Sequence, residues 1–353
     1  MLATHPKIDL PILHLVGEEA DKLGLECYVI GGYVRDIFLH RDSTDIDVVV
    51  VGSGIDLAQA VAKRLGKGAH LSVFKTYGTA QVKRGKIELE FVGARRESYQ
   101  HDSRNPIVED GTLEDDQNRR DFTINAMAVC LNKDRYGELL DPFGGIADMN
   151  ECTIRTPLDP DITYSDDPLR MMRAVRFASQ LGFDIDDETF DGIARQAERI
   201  KIVSRERIAT ELNKIMASPA PSIGLQLMRH SGLLKYVLPE LDNMCGVERR
   251  GKYAHKDNFE HTLKVLDNVA KRSDDIWLRW AALLHDVGKP ASFTQDKNGR
   301  GHFYGHADVS AEMADKILLR LKAPTALREK VVFLIKNHML PMPPEIPVLR
   351  RRL

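Results

Sequence analysis

Two acidic residues, Asp45 and Asp47, stand at the start of an apolar run and carry the clearest chemical signal in the chain. On a β-strand, residues two apart point to the same side, so both carboxylates should share one surface. Adjacent carboxylates repel each other and are tolerated best when a divalent cation bridges them. The pair therefore predicts a metal site, although the same spacing at a strand start is often only a solvated loop edge.

A glycine pair, Gly31 and Gly32, precedes these aspartates and follows a short apolar run. The apolar run predicts a strand, and Tyr33–His40 predicts a short helix. A junction of this kind exposes backbone N–H groups at a helix N-terminus, where phosphate binds well. Glycine pairs also form ordinary turns. Because it is followed by the two aspartates, however, the glycine pair indicates a site for a metal and a triphosphate.

A third carboxylate is expected if two metal ions are to be held beside the aspartates. The alternating stretch Lys86–Val92 predicts a strand with Glu88 and Glu90 on one face. We select Glu90 because it lies deeper in the predicted strand. An exposed antiparallel strand with its polar residues outward explains the same pattern equally well.

The segment 119–128, RRDFTINAMA, follows a polar stretch at 98–120 that predicts a mobile loop. Its apolar residues predict a buried helix stripe, which would leave Arg120 and Asn125 facing a ligand. Paired arginines at a helix entrance suit a triphosphate because each guanidinium can make bidentate contacts. A local ion pair between the arginines and Asp121 is the alternative.

Alternating strands and helices must position these residues. Helical spacing is seen at 9–24 and 57–65, and strands are predicted at 29–30, 46–51, 79–82 and 87–92. From about residue 160 onward the pattern is helical. The fold class is therefore α+β, with domain boundaries near residues 155 and 245.

Bulk composition narrows the classes of function. At 353 residues with 43% hydrophobic and 29% charged residues, the chain is globular and should form two or three domains. A net charge of −2 excludes a global basic field for nucleic acid, so only local patches could bind it. The candidate patches are Arg95/Arg96, Arg119/Arg120, Arg170/Arg173/Arg176, Arg249/Arg250/Lys252 and 350–352.

Four dispersed cysteines without C-x-x-C spacing indicate a reducing compartment and argue against a structural zinc site. No apolar leader segment and no run of about 18 apolar residues is present, so we expect a cytoplasmic protein with no membrane partner. The charged residues 348–353 read as part of a helix, which leaves open a truncated C-terminus. The oligomeric state is unknown.

Five motifs occur together in one order along the chain. They are Gly31–Asp36 with Asp45-Ile-Asp47, then 119–128, then Asp141–Asp148, then Asp166–Arg173, and finally Arg205–Glu211. This series resembles the class II tRNA nucleotidyltransferases, which comprise CCA-adding enzymes and the related bacterial poly(A) polymerases. The resemblance implies a polymerase-β-type nucleotidyltransferase head at 1–155, an all-α neck that reads bases and binds RNA at 156–245, and a helical segment at 246–353.

The resemblance also implies roles for individual residues. Asp45 and Asp47 would be Mg²⁺ ligands in a two-metal phosphoryl transfer to the tRNA 3′ end, with CTP and ATP as substrates. The segment Asp141–Asp148 would be a hinge, and Arg205–Glu211 would buttress the base-reading helix. The residues implied to bind the nucleotide are Gly31, Gly32, Arg35, Arg120, Asp121, Asn125, Asp167, Arg170 and Arg173.

Base reading is assigned to Asp167 and Arg170, which would share a face if both lay on one helix. Cytosine and adenine each present an amino donor beside a ring-nitrogen acceptor, which matches a carboxylate beside a guanidinium. Uracil and guanine reverse that pattern, and a mismatch could cost about 1–3 kcal/mol. An ordinary helix salt bridge, worth about 0.3–0.5 kcal/mol, is the simpler alternative. The family usually has Glu where this chain has Asp166.

A second group of metal-type residues lies towards the C-terminus, at His261, His285, Asp286, His306 and His338. The surrounding sequence resembles the HD domain of metal-dependent phosphohydrolases. That resemblance implies a second divalent metal (Ni, Mn, Co or Zn) and substrates that are phosphomonoesters or cyclic phosphodiesters. Packing histidines without a metal are the alternative.

Three classes of function therefore remain open. They are nucleotidyl transfer to tRNA, HD phosphohydrolase activity, and RNA binding without catalysis. The intact aspartate pair and the segment 119–128 count against the third class. Among transferases, Phe74–Gly78 lacks the basic stretch expected of a poly(A) polymerase, which favours CCA addition, while CC-only, A-only and poly(A) addition stay open.

Overall fold

The computed structural model describes residues 8–98, 107–244, 249–250, 253–254, 257–298 and 301–340. The basic residues 350–352, the C-terminal helix predicted there, Lys252 and Cys245 lie outside these ranges. The chain divides into two compact units. The first unit contains Met1–Arg170 and Asp184–Gly192, and the second contains Met171–Phe183 and Ile193–Leu353.

The first unit mixes helices with a large sheet. Its helices are α1 (Pro11–Leu23), α2 (Gly32–Phe38), α3 (Gly54–Leu65), α4 (Leu113–Asn118), α5 (Gly145–Asn150) and α6 (Pro160–Asp166). Its strands are β1 (Glu26–Ile30), β2 (Asp45–Val51), β3 (Ala69–Phe74), β4 (Thr79–Arg84), β5 (Ile87–Gly93), β6 (Arg95–Ser98), β7 (Ile107–Asp110), β8 (Ala128–Cys130), β9 (Leu139–Leu140) and β10 (Thr153–Ile154). Short 3₁₀ turns occur at Lys75–Tyr77, Thr123–Asn125 and Lys133–Arg135.

Seven strands form the sheet in the order β3-β4-β5-β2-β1-β8-β9. The pair β2 and β5 is parallel, and the other neighbours are antiparallel. Strand β2 is central, which explains its apolar run, because a central strand buries side chains on both faces. A core cluster of buried residues lies on and beside this sheet: Tyr28, Ile30, Val49, Ala94, Leu113, Ala128 and Cys130.

Local signals account for several helix ends in this unit. Helix α1 begins with Pro11 and ends before Gly24, whose φ of 66° is the left-handed conformation that glycine tolerates. The side chain of Ser53 accepts a hydrogen bond from Asp56 N at the start of α3. Helix α4 starts with a capping box formed by Thr112 and Asp115.

Two predictions for the polar segment and its successor were wrong. The stretch predicted as a loop contains the last residue of β6 and the whole of β7 and α4. The segment 119–128 forms no α-helix but a 3₁₀ turn and the start of β8, although Phe122, Ile124 and Met127 are fully buried as expected. The paired arginines consequently lie at the C-terminal end of α4 instead of at a helix entrance.

The second unit is mainly helical. Helices α7 (Leu169–Leu181) and α8 (Asp187–Gln196) begin in the first unit, and strand β11 (Asp184–Ile185) pairs with β10 there. The remaining helices are α9 (Arg205–Met216), α10 (Pro221–His230), α11 (Leu234–Val237), α12 (Pro239–Asp242), α13 (Asn258–Ala270), α14 (Ile276–Leu284), α15 (His306–Arg320) and α16 (Thr325–Asn337). The strand pairs are β12 (Arg249–Arg250) with β13 (Tyr253–Ala254), and β14 (Thr294–Gln295) with β15 (Gly301–His302). Further 3₁₀ turns lie at Ala197–Ile202 and Pro290–Ser292.

None of the described helices is both long and apolar enough to cross a membrane.

The buried Arg279 illustrates how the second unit is held together. Its guanidinium donates to the carbonyl oxygens of Met216 and Ser218 at the end of α9, and to that of Ala270 at the end of α13. One side chain therefore satisfies the last carbonyls of two helices.

Candidate nucleotide and metal sites

Gly31 lies at the junction between β1 and α2 with a φ of 80°, which an L side chain rarely adopts. A Cβ atom at this position would lie 3.2 Å from Arg120 Nη1 and 3.4 Å from Asp47 Oδ2. It would also lie 3.8 Å from the carbonyl oxygen of Asn125. Three residues from two distant segments of the chain therefore meet around one glycine.

The register of β2 and β5 places the acidic residues side by side. Asp45 is paired with Glu88 and Asp47 with Glu90, so all four occupy the same face of the parallel pair. Glu88 contacts Gln81 and lies 3.5 Å from Lys83, on the neighbouring strand β4. Glu90 lies opposite Asp47, and its role as a third acidic ligand stays a prediction.

Desolvation, together with the negative charges of Asp47 and Glu88, raises the pKa of Glu90, although Arg95 opposes the shift. A raised carboxyl pKa shows that another negative charge is unfavourable there, and a cation would be favourable. The donors are all oxygen atoms, which fits magnesium. Among the described residues, groups of three His, Cys, Asp or Glu side chains with all ligand atoms within 4.8 Å of one another occur only in the second unit. The ligand atoms of Asp45, Asp47 and Glu90 are therefore more widely spaced.

A buried chain of hydrogen bonds links α2 to the segment after α4. Arg35 Nη1 donates to Asn125 Oδ1 at 2.9 Å, and Asn125 Nδ2 donates to Asp121 Oδ1 at 3.1 Å. The same Asp121 oxygen accepts from Phe122 N at 2.9 Å. The implied phosphate ligand Arg35 and the implied ribose-binding residues are therefore held as one network.

Both arginines of the pair turn back to one carboxylate, Asp116 on α4. Asp116 Oδ1 accepts from Arg119 Nε at 3.0 Å, and Oδ2 accepts from Arg120 Nε at 3.1 Å and Nη2 at 2.9 Å. The alternative, a local ion pair, was expected with Asp121, whereas the carboxylate that accepts from both arginines is Asp116. Asp116 was not predicted from the sequence, although its spacing of three and four residues from the arginines is the helical ion-pair spacing.

Burial favours the neutral acid at Asp116, but Arg120 and Arg119 outweigh it and hold the pKa of this carboxyl below its usual value. Burial likewise opposes the charge on Arg120, yet the carboxylates of Asp116, Asp47 and Asp121 raise the pKa of its guanidinium. Arg120 is therefore a firmly charged group lying between a buried anion and the proposed metal ligands.

The base-reading pair is arranged differently from the prediction. Asp167 follows α6 and lies two residues before α7, so the two residues do not share one helix. Asp167 Oδ1 accepts from Leu169 N at 3.1 Å, and its carbonyl accepts from Arg170 N at 2.9 Å. The Asp167 carboxylate thus caps the helix that carries Arg170.

The guanidinium of Arg170 is buried and donates to two carbonyl oxygens. Its Nη1 donates to Thr163 O at 3.2 Å, and its Nη2 donates to Arg119 O at 2.6 Å. Arg173 belongs to the second unit, where its guanidinium carbon lies 5.4 Å from the ring centre of Phe177. Arg170 therefore belongs to the hydrogen-bond network of the first unit.

The segment Asp141–Asp148 supports the 3₁₀ turn after the arginine pair. Asp141 accepts from Gly145 N at 2.6 Å and Ile146 N at 3.0 Å, which begins α5. Asp148, on that helix, accepts from Thr123 Oγ1 at 2.6 Å. These contacts position the turn; whether the segment acts as a hinge stays a prediction.

A second site is built in the helical unit from the ends of four helices. His261 lies on α13, His285 and Asp286 follow α14, His306 begins α15, and His338 follows α16. Two candidate metal-binding groups result, and Asp286 belongs to both. Its Oδ2 lies 3.1 Å from His285 Nε2 and 3.8 Å from His261 Nε2, and its Oδ1 lies 3.4 Å from His306 Nε2.

Backbone carbonyls orient three of these imidazoles. The Nδ1 atoms of His285, His306 and His338 lie 2.7, 2.9 and 2.6 Å from the carbonyl oxygens of Ala282, Phe303 and Ile335 respectively. Such bonds fix the ring so that Nε2 carries the lone pair available to a metal. Nitrogen and carboxylate donors of this kind fit a transition metal.

The charges of the cluster also suit a cation. Burial opposes ionisation of Asp286, but His285 and Lys289 outweigh it and lower the pKa of this carboxyl. Burial lowers the pKa of His338, so the neutral imidazole that binds metal is favoured. Lys289 Nζ, only 2.6 Å from Asp286 Oδ2, was not selected from the sequence, although it stands three residues after the aspartate.

Comparison with known proteins gives three matches to family models along the chain. Residues 27–155 match the poly A polymerase head domain, and residues 182–245 match a probable RNA and SrmB-binding site of polymerase A. Residues 258–352 match the HD domain. The three matches follow the order of the sequence motifs.

Curated relatives and solved structures agree with these matches. An A-adding tRNA nucleotidyltransferase of Deinococcus radiodurans is 34% identical over 92% of this chain and 71% of its own length. A multifunctional CCA protein of Shewanella frigidimarina is 32% identical over 89% of this chain and 74% of its own. A tRNA nucleotidyltransferase solved with a primer tRNA and an incoming ATP analogue is 29% identical over 92% of this chain and 84% of its own, with a TM-score of 0.68. The chain therefore belongs to the tRNA nucleotidyltransferase family, with a polymerase-type head and an HD domain.

Proposed function

We propose that this tRNA nucleotidyltransferase adds C and A from CTP and ATP to complete the CCA end of tRNA. The observation that carries the proposal is the meeting of Gly31, Asp47 and Arg120 around one backbone position. A carboxylate, a guanidinium and an uncovered backbone are the groups that a metal-bound triphosphate requires. Relatives named for A addition and for CCA addition both resemble the chain, so A-only addition is the alternative.

Different residues of the chain bind the phosphates and the ribose of the nucleotide. The glycine junction binds phosphate oxygens together with Arg35 and Arg120. The Gly31 N–H donates to Met127 O at 3.3 Å, so Gly32 offers the N–H, and Gly31 allows close approach because it has no Cβ. Asp121 and Asn125 contact the ribose, and the buried hydrogen bond between them keeps their geometry fixed.

The base contacts Asp167 and Arg170, which accept from its amino group and donate to its ring nitrogen respectively. Arg173 is proposed to contact the nucleotide as well. Discrimination against uracil and guanine then follows from unpaired donors and acceptors.

Asp45 and Asp47 are the proposed ligands of Mg²⁺, with Glu90 as the third carboxylate. Bound magnesium would neutralise charge on the RNA 3′-oxygen and on the departing pyrophosphate. The acidic residues hold the cation, and the arginines hold the phosphate oxygens in place for attack. The tRNA substrate also favours the cytoplasmic location expected from the sequence.

Purified protein should extend tRNA that lacks its three terminal nucleotides when it is given labelled CTP and then ATP with Mg²⁺. A second tRNA that lacks only the terminal A should accept ATP directly. Extension of the second substrate alone would establish A-only addition in place of CCA addition. Incorporation of UTP or GTP as readily as CTP and ATP would contradict the base-reading assignment. The absence of any incorporation would contradict the transferase proposal.

The two glutamates of β5 provide a matched test of the third carboxylate. Glu90→Gln should reduce kcat for CTP incorporation about 10- to 100-fold, since it removes a charge beside Asp47. Glu88→Gln should change kcat less than about 3-fold, because Glu88 is already engaged by Gln81 and Lys83. Equal effects of the two substitutions on steady-state incorporation would show that Glu90 has no special role.

We further propose that the HD domain is a metal-dependent phosphohydrolase for phosphomonoesters or cyclic phosphodiesters. The specific observation is the convergence of four histidines and Asp286 in two groups that share the aspartate. Nickel, manganese, cobalt and zinc all accept such nitrogen and oxygen donors. When bound, the metal would supply an activated water molecule. Lys289, held against Asp286, would bind the phosphate of the substrate.

A further inference from the structure

Asp116 is a fully buried carboxylate to which the proposed chemistry assigns no role. Its side chain is 0% exposed, whereas those of Arg119 and Arg120 are each 18% exposed. Each oxygen of the carboxylate accepts from a different arginine, Oδ1 from Arg119 and Oδ2 from Arg120. A buried carboxylate with both oxygens engaged by guanidinium groups fixes the orientation of both side chains.

Two branches lead away from this carboxylate. Along one, Arg120 extends to Gly31, where its Nη1 lies 3.2 Å from the position of a Cβ and beside Asp47. Along the other, the carbonyl oxygen of Arg119 accepts from Arg170 Nη2 at 2.6 Å. The first branch ends at the proposed phosphate site, and the second ends at the proposed base-reading residue.

We propose that Asp116 is a positioning residue that couples phosphate binding to base selection, an inference that rests on the proposed transferase function. Asp116 itself contacts neither the nucleotide nor the tRNA. It holds Arg120 at the triphosphate, and it holds Arg119 so that the carbonyl oxygen of that residue fixes the guanidinium of Arg170. Because both arginines share one anchor, a disturbance at Asp116 should affect affinity for the nucleotide and selection of the base together.

The neighbouring Asp115 separates this role from simple stabilisation of α4. Asp115 Oδ2 accepts from Thr112 N and Oγ1, both at 2.9 Å, and completes the capping box. It belongs to the same helix and carries the same charge, but its side chain accepts hydrogen bonds at the N-terminal end of α4. Asp115→Asn should therefore weaken the helix without moving either arginine.

The test compares purified Asp116→Asn and Asp115→Asn with the unsubstituted protein on tRNA lacking its terminal nucleotides. For Asp116→Asn we expect KM for CTP and ATP to rise about 10-fold. We also expect the ratio of kcat/KM for CTP to that for UTP to fall about 5-fold or more. For Asp115→Asn both quantities should stay within about 2-fold of the unsubstituted values, with only a lower melting temperature.

Two further variants separate the branches and serve if Asp116→Asn does not fold. Arg120→Gln should raise KM with the CTP-to-UTP ratio retained, and Arg119→Gln should lower the ratio with less effect on KM. The inference would be overturned if the CTP-to-UTP ratio were unaltered in Asp116→Asn or in Arg119→Gln. It would also be overturned if Asp116→Asn and Asp115→Asn had equal effects. An inactive unsubstituted protein would instead contradict the proposed function itself.

Discussion

Replacing Asp47 with asparagine is expected to reduce incorporation of CTP and ATP into tRNA by at least about 10³-fold. Asp47 lies at the point where the proposed metal ligands meet the phosphate site, with Glu90 opposite it and Gly31 and Arg120 beside it. A neutral amide binds a divalent cation more weakly than a carboxylate does. Loss of several kcal/mol of transition-state stabilisation corresponds to a decrease of this size, at about 1.4 kcal/mol per tenfold.

The folded state should tolerate this change. Asp47 repels Glu90, whose pKa it helps to raise, and attracts Arg120, whose pKa it also helps to raise. The two effects oppose each other, so the free energy of unfolding should change by less than about 1 kcal/mol. Single-turnover assays with saturating nucleotide and urea denaturation measure the two quantities.

Asp42→Asn is the matched control, because it removes the same charge from an exposed residue just before β2. Its incorporation rate should equal that of the unsubstituted protein. An Asp47→Asn variant that is fully folded and loses less than about tenfold in rate would show that Asp47 is not a metal ligand in the transferase reaction.

The position of Asp47 could be predicted from the sequence because two short-range rules agree. A run of apolar residues predicts a buried strand, and the strand period places alternate residues on one face. The alternation of Lys86–Val92 likewise identified β5, and the structure confirms the strand. Parallel pairing of these two strands, which sets Asp47 opposite Glu90, is a long-range contact that no local pattern specifies.

The arrangement around the arginine pair could not be predicted for a related reason. Polar residues at 98–120 suggested a loop, yet a capping box starts a short helix at Leu113, and Asp116 on that helix binds both arginines. The apolar residues after the pair were correctly expected to be buried. Their burial arises from a 3₁₀ turn and a strand, since a short buried run does not distinguish a helix from a strand.

The base-reading prediction rests on an incorrect secondary-structure element. Asp167 and Arg170 were paired because residues three apart share a helix face, but Asp167 lies before the helix. Its carboxylate accepts from a backbone N–H near the start of α7, a preference of aspartate that competes with helix formation. Reading of C and A by this pair stays a prediction.

The second large effect is expected in the HD domain, where Asp286→Asn should lower affinity for Mn²⁺ or Ni²⁺ by at least about 100-fold. Asp286 belongs to both metal-binding groups and contacts three histidines through two oxygens. The amide keeps the shape of the side chain but loses the negative charge that the cation requires. Isothermal titration of the metal-free protein with each metal chloride measures the affinity.

The same substitution should abolish hydrolysis of p-nitrophenyl phosphate and of cyclic nucleotides in the presence of metal. It should also destabilise the metal-free protein by about 1–2 kcal/mol, because Lys289 loses its anionic partner. Incorporation of CTP and ATP should be retained, since the proposed magnesium ligands Asp45, Asp47 and Glu90 belong to the first unit and Asp286 to the second. Loss of both activities would instead mean that Asp286 supports the whole protein.

His302→Asn is the matched control for this experiment. His302 stacks on Tyr304 with ring centres 5.0 Å apart, and its Nε2 lies 3.3 Å from Asp296, outside both metal-binding groups. A histidine lost there should leave metal affinity unchanged, whereas His306→Asn should lower it as Asp286→Asn does. Equal metal binding by all three variants would show that the converging side chains are a packing arrangement and would contradict the phosphohydrolase proposal.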